Sequence, residues 1–151
     1  MGNNRIRNTE SRIWGKPKIR FLAFNLCFLF CVLLAGCEKK EIQNLNSPGK
    51  SIICFGDSIT CGYGVSAGED YPAKLAKLVK LPVINAGVNG DTTFLALDRL
   101  DRDVLAKNPR LVIIEFCGND FIKKIPREDT LKNLSKIIDR IQEKGIMVAL
   151  V

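Results

Sequence analysis

The run Ser51-Ile52-Ile53-Cys54-Phe55-Gly56-Asp57-Ser58-Ile59-Thr60 constrains the fold more than any other stretch of this chain. A short apolar run bounded by Gly-Asp-Ser reads as a buried strand of a parallel sheet, too short and too abruptly ended for a core helix. The strand delivers Ser58 into a turn at its carboxyl end, which is where open α/β sheets build their sites. The same turn chemistry suits a plain strand-to-loop corner in which Asp57 and Ser58 bond only the local backbone.

Two later stretches repeat the layout of an apolar strand followed by a polar loop with glycine. They are Pro82-Val83-Ile84-Asn85-Ala86-Gly87-Val88-Asn89-Gly90-Asp91-Thr92 and Leu111-Val112-Ile113-Ile114-Glu115-Phe116-Cys117-Gly118-Asn119-Asp120. The three in this order resemble the first three sequence blocks of the SGNH hydrolases, the GDSL-type esterases and lipases. Asn85-Ala86 ahead of Gly90-Asp91-Thr92, and Gly118-Asn119-Asp120 after Glu115, resemble the lysophospholipase, thioesterase and arylesterase subgroup. The resemblance runs from about Ser51 to Val151. It implies a serine nucleophile at Ser58 and an oxyanion hole from Ser58, Gly90 and Asn119. Asp57 and Asp120 flank these positions and are expected to hold the loop geometry through backbone hydrogen bonds. The resemblance further implies a small ester or lysophospholipid as substrate, and neither cofactor nor metal.

The head of the chain has a different character. Residues 1–20 carry Arg5, Arg7, Arg12, Lys16, Lys18 and Arg20 against Glu10 alone, and Phe21 to Ala35 then runs without a charge. A basic segment followed by an apolar one too short for a comfortable span is the layout of a secretory signal. It ends Leu34-Ala35-Gly36-Cys37, the pattern of a lipobox, which makes Cys37 the lipid-bearing residue. Residues 1–36 therefore read as a lipoprotein signal, 37–50 as a tether and 51–151 as the hydrolase domain. An uncleaved N-terminal anchor is the alternative. Either way the domain is exported and held at a membrane of the bacterial envelope.

Removing residues 1–36 takes six positive charges and one negative, so the net charge of +7 falls to +2. The basic balance belongs to the signal, and no Lys/Arg stripe interleaved with aromatics follows to suggest nucleic acid. Cys54, Cys61 and Cys117 remain beyond the lipobox, an odd number without regular spacing, which argues against disulfides or zinc.

Between the strands the pattern turns helical. Pro72 suits a first helical turn ahead of Leu75, Leu78 and Val79. Asp91 or Thr92 can cap a helix whose Phe94, Leu97, Leu100 and Val104 form one apolar face. Asp98, Asp101 and Asp103 read as its solvated side. A last helix spans about Arg127 to Lys144, with Leu131, Leu134, Ile137, Ile138 and Ile141 inward. Ile146 to Val151 then begins a fourth strand.

The alternation predicts an α/β fold with helices on both faces of a parallel sheet and with the nearly all-apolar third strand covered on both faces. The resemblance to the SGNH hydrolases implies the flavodoxin-like three-layer form, with strand order 2-1-3-4 and the fifth strand lacking. With the first strand between the second and third, the loops bearing Ser58, Gly90 and Asn119 meet at one switch point. The chain contains no histidine, although a serine hydroxyl needs a base. The family's aspartate and histidine follow its fifth strand, so the expectation is a C-terminally truncated chain that is inactive alone. A non-catalytic flavodoxin-like lipoprotein that binds a ligand at the same switch point is the alternative. Neither a Gly-x-Gly-x-x-Gly turn nor a P-loop is present to favour it.

Overall fold

The computed structural model describes residues 41–151, which form one compact unit. The candidate signal 1–36 and the lipidation candidate Cys37 lie outside the described residues.

Four strands, β1 (Ile52–Gly56), β2 (Val83–Gly87), β3 (Leu111–Glu115) and β4 (Met147–Leu150), form a parallel sheet in the order β2-β1-β3-β4. Ile53 of β1 pairs with Ile84 of β2 and with Val112 of β3, and Val112 in turn with Val148 of β4. Five α-helices and one short 3-10 turn, Leu105–Lys107, connect them: α1 (Ser58–Cys61), α2 (Tyr71–Leu78), α3 (Thr93–Asp103), α4 (Gly118–Ile122) and α5 (Arg127–Glu143).

One face of the sheet carries the core. Ile53 and Phe55 of β1 and Val112 and Ile114 of β3 alternate onto it, where Ala96, Leu100 and Val104 from α3 and its end meet Ile137 and Ile141 of α5. Thr92 caps α3, its hydroxyl accepting from Leu95 N–H. Asp70 caps α2 by accepting from Ala73 N–H, with Pro72 in the first turn. Gly145, at φ +71°, ends the turn after α5.

Several side chains fall elsewhere than helical spacing predicts. Phe94 is 65% exposed and the inner face of α3 is Ala96, Leu100 and Val104, with Arg99 beside them. Leu78 and Leu131 are also exposed. The expectation that both faces of β3 are covered is corrected. Val112 and Ile114 are buried, but Leu111 and Ile113 are only partly so, as are Met147 and Ala149 beside them. The cause is that α3 and α5 both pack on the same side of the sheet.

From Glu41 onward, the stretch read as a tether is part of the compact unit. Asn44, at φ +58°, donates from Nδ2 to the carbonyls of Gln142 (2.9 Å) and Ile146 (3.1 Å). Arg110 donates to the carbonyls of Ser47 (3.2 Å) and Leu45 (3.3 Å). The polar composition of this segment hides those bonds, one of which satisfies the Gln142 carbonyl in the last turn of α5.

Candidate active site

The site is built where β1 stops. Asp57 donates its N–H to the Glu115 carbonyl (3.2 Å), which carries the β1–β3 pairing one residue beyond the strand. Its Oδ1 accepts from Ile59 N–H at 3.1 Å, capping the single turn of α1, so Ser58 occupies the first helical position. The turn demands close approach at Gly56, where a Cβ would lie 2.0 Å from Thr60 Oγ1 and 2.5 Å from the Glu115 carbonyl oxygen.

Next to it, β3 ends in a bend with Cys117 at φ +93°, a conformation costly for a residue with a side chain and frequent at functional sites. The bend turns α4 back toward β1. Asn119 in α4 donates from Nδ2 to Asp57 Oδ2 at 3.2 Å. Asp57 is 2% exposed, so one buried carboxylate supports both the serine turn and the asparagine. Burial pushes the Cys117 thiol pKa up, and the nearby carboxylates of Asp120, Glu115 and Asp57 push it the same way.

On the other side, the chain leaving β2 stays close to β1, with Val88 N–H donating to the Gly56 carbonyl (3.1 Å). Gly90 adopts φ +74°, the left-handed region that glycine enters at no steric cost. Its carbonyl accepts from Lys123 Nζ, just after α4, at 2.7 Å. Asp91, the following residue, is gripped by Arg99 of α3 through Nε at 2.8 Å and the second fork nitrogen at 2.7 Å.

Arg99 joins these parts. Nearly buried, it also donates to the carbonyls of Ala86 (2.9 Å) and Gly56 (3.1 Å) and to Asp103 Oδ2 (3.2 Å), and its guanidinium lies 4.4 Å from the centre of the Phe55 ring. The fork thus ties the ends of β1 and β2 to the loop that carries Gly90, a use of five fixed donors that lysine does not reproduce. Asp120, 1% exposed, does similar work between helices, accepting from Thr93 N–H (3.0 Å), the Thr93 hydroxyl and the Thr130 hydroxyl (3.3 Å).

Beneath the serine turn lies a second polar group. Thr60, fully buried, donates to Glu115 Oε2 at 3.0 Å and shares a 3.2 Å hydrogen bond with the Tyr71 hydroxyl. The Glu115 carboxyl has its pKa raised, first by burial and then by the nearby Asp57 charge.

The five site residues read from sequence therefore lie on the loops after β1, β2 and β3, at the carboxyl ends of three adjacent strands. Asn119 is bonded to the residue preceding Ser58, and Gly90 is linked to the same strand end through Asp91 and Arg99. The acidic side chains of α3 divide differently: Asp101 pairs with Arg140 and Asp103 with Arg99 and Arg102. Sequence reading missed Arg99, Glu115, Thr60 and Lys123. Arg99 alone left a signal, since it stands one residue from Leu100 and four before Asp103 on the buried side of a helix.

The described residues contain no helix long and apolar enough to cross a membrane. Residues 54–151 match the model of the GDSL-like Lipase/Acylhydrolase family. The thioesterase 1/protease 1/lysophospholipase L1 of Escherichia coli is 31% identical over 121 residues, which cover 79% of this chain and 54% of that enzyme. The uncharacterized lipoprotein YqeF of Bacillus subtilis is 29% identical over 137 residues, covering 82% and 53%. Among solved structures, AlinE4, an SGNH-hydrolase family esterase, superposes with a TM-score of 0.63 at 38% identity over 68% of this chain and 58% of that one. The chain spans 53% to 62% of the length of the curated relatives it matches. With most of the chain matched and its sheet order in place, the protein belongs to the GDSL-like lipase/acylhydrolase family of esterase-type hydrolases.

Proposed function

We propose that this protein hydrolyses carboxylic esters or thioesters, lysophospholipids and aryl esters among them, with Ser58 as the nucleophile. Ser58 Oγ attacks the carbonyl carbon, its proton passes to a base, and the carbonyl electrons move onto oxygen. Collapse of that intermediate expels the alcohol or thiol and leaves an acyl-serine, which water then hydrolyses by the same route. Charge develops on the carbonyl oxygen, so the site needs rigid donors aimed there. The backbone N–H groups of Ser58 and Gly90 and one amide hydrogen of Asn119 are the donors in this reading.

The observation that carries it is the Asp57 carboxylate. Asn119 has two Nδ2 hydrogens; one is held on Asp57 Oδ2, which leaves the second for the oxyanion and fixes the amide before substrate arrives. Asp57 and Asp120 act as loop supports, through Ile59 N–H and Thr93 N–H.

The 151 residues contain no histidine, so the general base in this account comes from an Asp-x-x-His segment outside them. Loss of the base costs a serine hydrolase on the order of 10⁶ in kcat. Hydrolysis of p-nitrophenyl acetate by the purified chain is therefore expected near background, and is expected to rise when a segment carrying Asp-x-x-His is supplied. Robust turnover by the chain alone that Ser58→Ala abolishes contradicts the assignment of the base. No gain despite demonstrated binding of the segment contradicts the mechanism.

The same reading places the protein in the bacterial envelope as a lipoprotein anchored through Cys37, supported by Leu34-Ala35-Gly36-Cys37 and by the likeness to a lipoprotein of Bacillus subtilis. Mass spectrometry of the protein from a bacterial membrane tests it. A diacylated Cys37 at the N-terminus is expected, and an intact Met1 with unmodified Cys37 contradicts it.

A further inference from the structure

Beside Gly90 lies a groove of about 410 Å³ between the start of α3, the end of α4 and the first turns of α5. Three of the residues lining it are lysines, Lys123, Lys132 and Lys136, against one carboxylate, Asp129. Lys132 and Lys136 are four apart on α5, so they share a helix face and repel one another. Lys123 enters from the opposite wall with its ammonium on the Gly90 carbonyl, 2.7 Å away, which puts the groove directly against the loop assigned to the oxyanion. The remaining wall includes Ile125 and Phe94, an aromatic ring left 65% exposed at the first turn of α3. Asn133, also at the groove, adds an amide.

Lysine is a compact point charge suited to phosphate oxygens, and a groove of a few hundred Å³ is the size of a small-ligand site. A cationic wall alone suits any anion. The exposed phenylalanine next to it, and the approach to Gly90, narrow the ligand to an anion attached to something apolar that carries a carbonyl. We propose that this groove is a subsite for the phosphate-type head of an acyl ester whose carbonyl reaches Ser58 across Gly90. This rests on the serine-hydrolase reading and deepens it: the preferred substrates are anionic acyl amphiphiles rather than neutral esters. Lys132 and Lys136 hold the head, Phe94 and Ile125 pack against the carbon chain beside it, and Lys123 joins the head site to the oxyanion loop.

The test needs binding, not turnover. Amide resonances of the 151-residue chain are followed by NMR during titration with inorganic phosphate, with glycerol 3-phosphate and with a short-chain acyl glycerol phosphate below its micellar concentration. The expected result is saturable shifts centred on Thr92, Phe94, Lys123 and Asn133, tightest for the acylated ligand, weakening with added salt as screening predicts. The double variant Lys132→Ala/Lys136→Ala, with both changes on a solvent-facing helix surface, is expected to weaken binding about tenfold, the loss of one to two exposed ion contacts, while Asp129→Asn tightens it. Equal affinity for inorganic phosphate and the acylated ligand overturns the head-group assignment in favour of a free-anion site. Absence of saturable shifts, or shifts unaltered by the double variant, overturns the subsite. Fluorophosphonate labelling of Ser58, measured separately in a chain carrying the Asp-x-x-His segment, reports on the hydrolase reading: labelling without groove binding rejects the subsite alone, and groove binding without labelling rejects its link to catalysis.

Discussion

Asn119 Nδ2 sits 3.2 Å from Asp57 Oδ2, and the same carboxylate accepts from Ile59 N–H through its other oxygen. Position at the end of β3 and position at the end of β1 are thereby set by one buried group. Removing the amide with Asn119→Ala deletes a donor whose loss typically lowers kcat about 10²–10³-fold. In a chain carrying the Asp-x-x-His segment the loss is expected in kcat with little change in KM, because the donor acts mainly in the transition state. Asp57→Ala is expected to lower kcat as well, since Asn119 loses its anchor, and to cost about 1 kcal/mol of stability as the cap of α1. Steady-state kinetics on both variants checks this; unchanged kcat in Asn119→Ala removes that residue from the hole.

Arg99 ties the ends of β1 and β2 to the loop that carries Gly90, so its loss is expected to be felt in folding before chemistry. Arg99→Met leaves the Asp91 carboxylate buried without its charge partner, held only by the Thr92 N–H, and is expected to cost about 3–5 kcal/mol in urea unfolding. Arg99→Lys keeps the charge but not the fork, and its midpoint is expected between the two. Adding Asp91→Asn to Arg99→Met is expected to recover part of the loss, because the uncompensated charge goes. Simple additivity of the two changes contradicts the pairing.

The raised pKa of Glu115 sets a pH dependence. The folded protein keeps a proton on this carboxyl at pH values where the unfolded chain has already released it. The native state binds more protons there, so stability falls as pH rises from the usual glutamate range through the folded pKa. Glu115→Gln is expected to flatten that fall, and Asp57→Asn to lessen it by removing the neighbouring charge. Urea midpoints measured from pH 4 to pH 8 decide it. A fall of the same steepness in Glu115→Gln assigns it to another group.

Much of this arrangement was legible from residue order. The apolar runs ending in Gly-Asp-Ser, Gly-Asp-Thr and Gly-Asn-Asp marked the three strands and their loops, right-handed crossovers placed the helices on a parallel sheet, and the order 2-1-3-4 was implied by the resemblance to the SGNH hydrolases. Phe94 was misplaced because helical spacing identifies a stripe without saying which edge of it the sheet reaches. The half-covered face of β3 escaped for a related reason: Leu111 and Ile113 are as apolar as Val112 and Ile114, and only the placement of α3 and α5 separates them. Asn44 and Arg110 are bonded across the chain to partners distant in sequence, which no local pattern records. The Thr60–Glu115 bond is of the same kind.

The most direct test of the account is covalent labelling of a chain carrying the Asp-x-x-His segment with a fluorophosphonate, followed by peptide mass spectrometry. A single adduct on Ser58 is predicted, absent in Ser58→Ala and formed more slowly in Asn119→Ala. An adduct on a different serine, or undiminished labelling of Ser58→Ala, contradicts it.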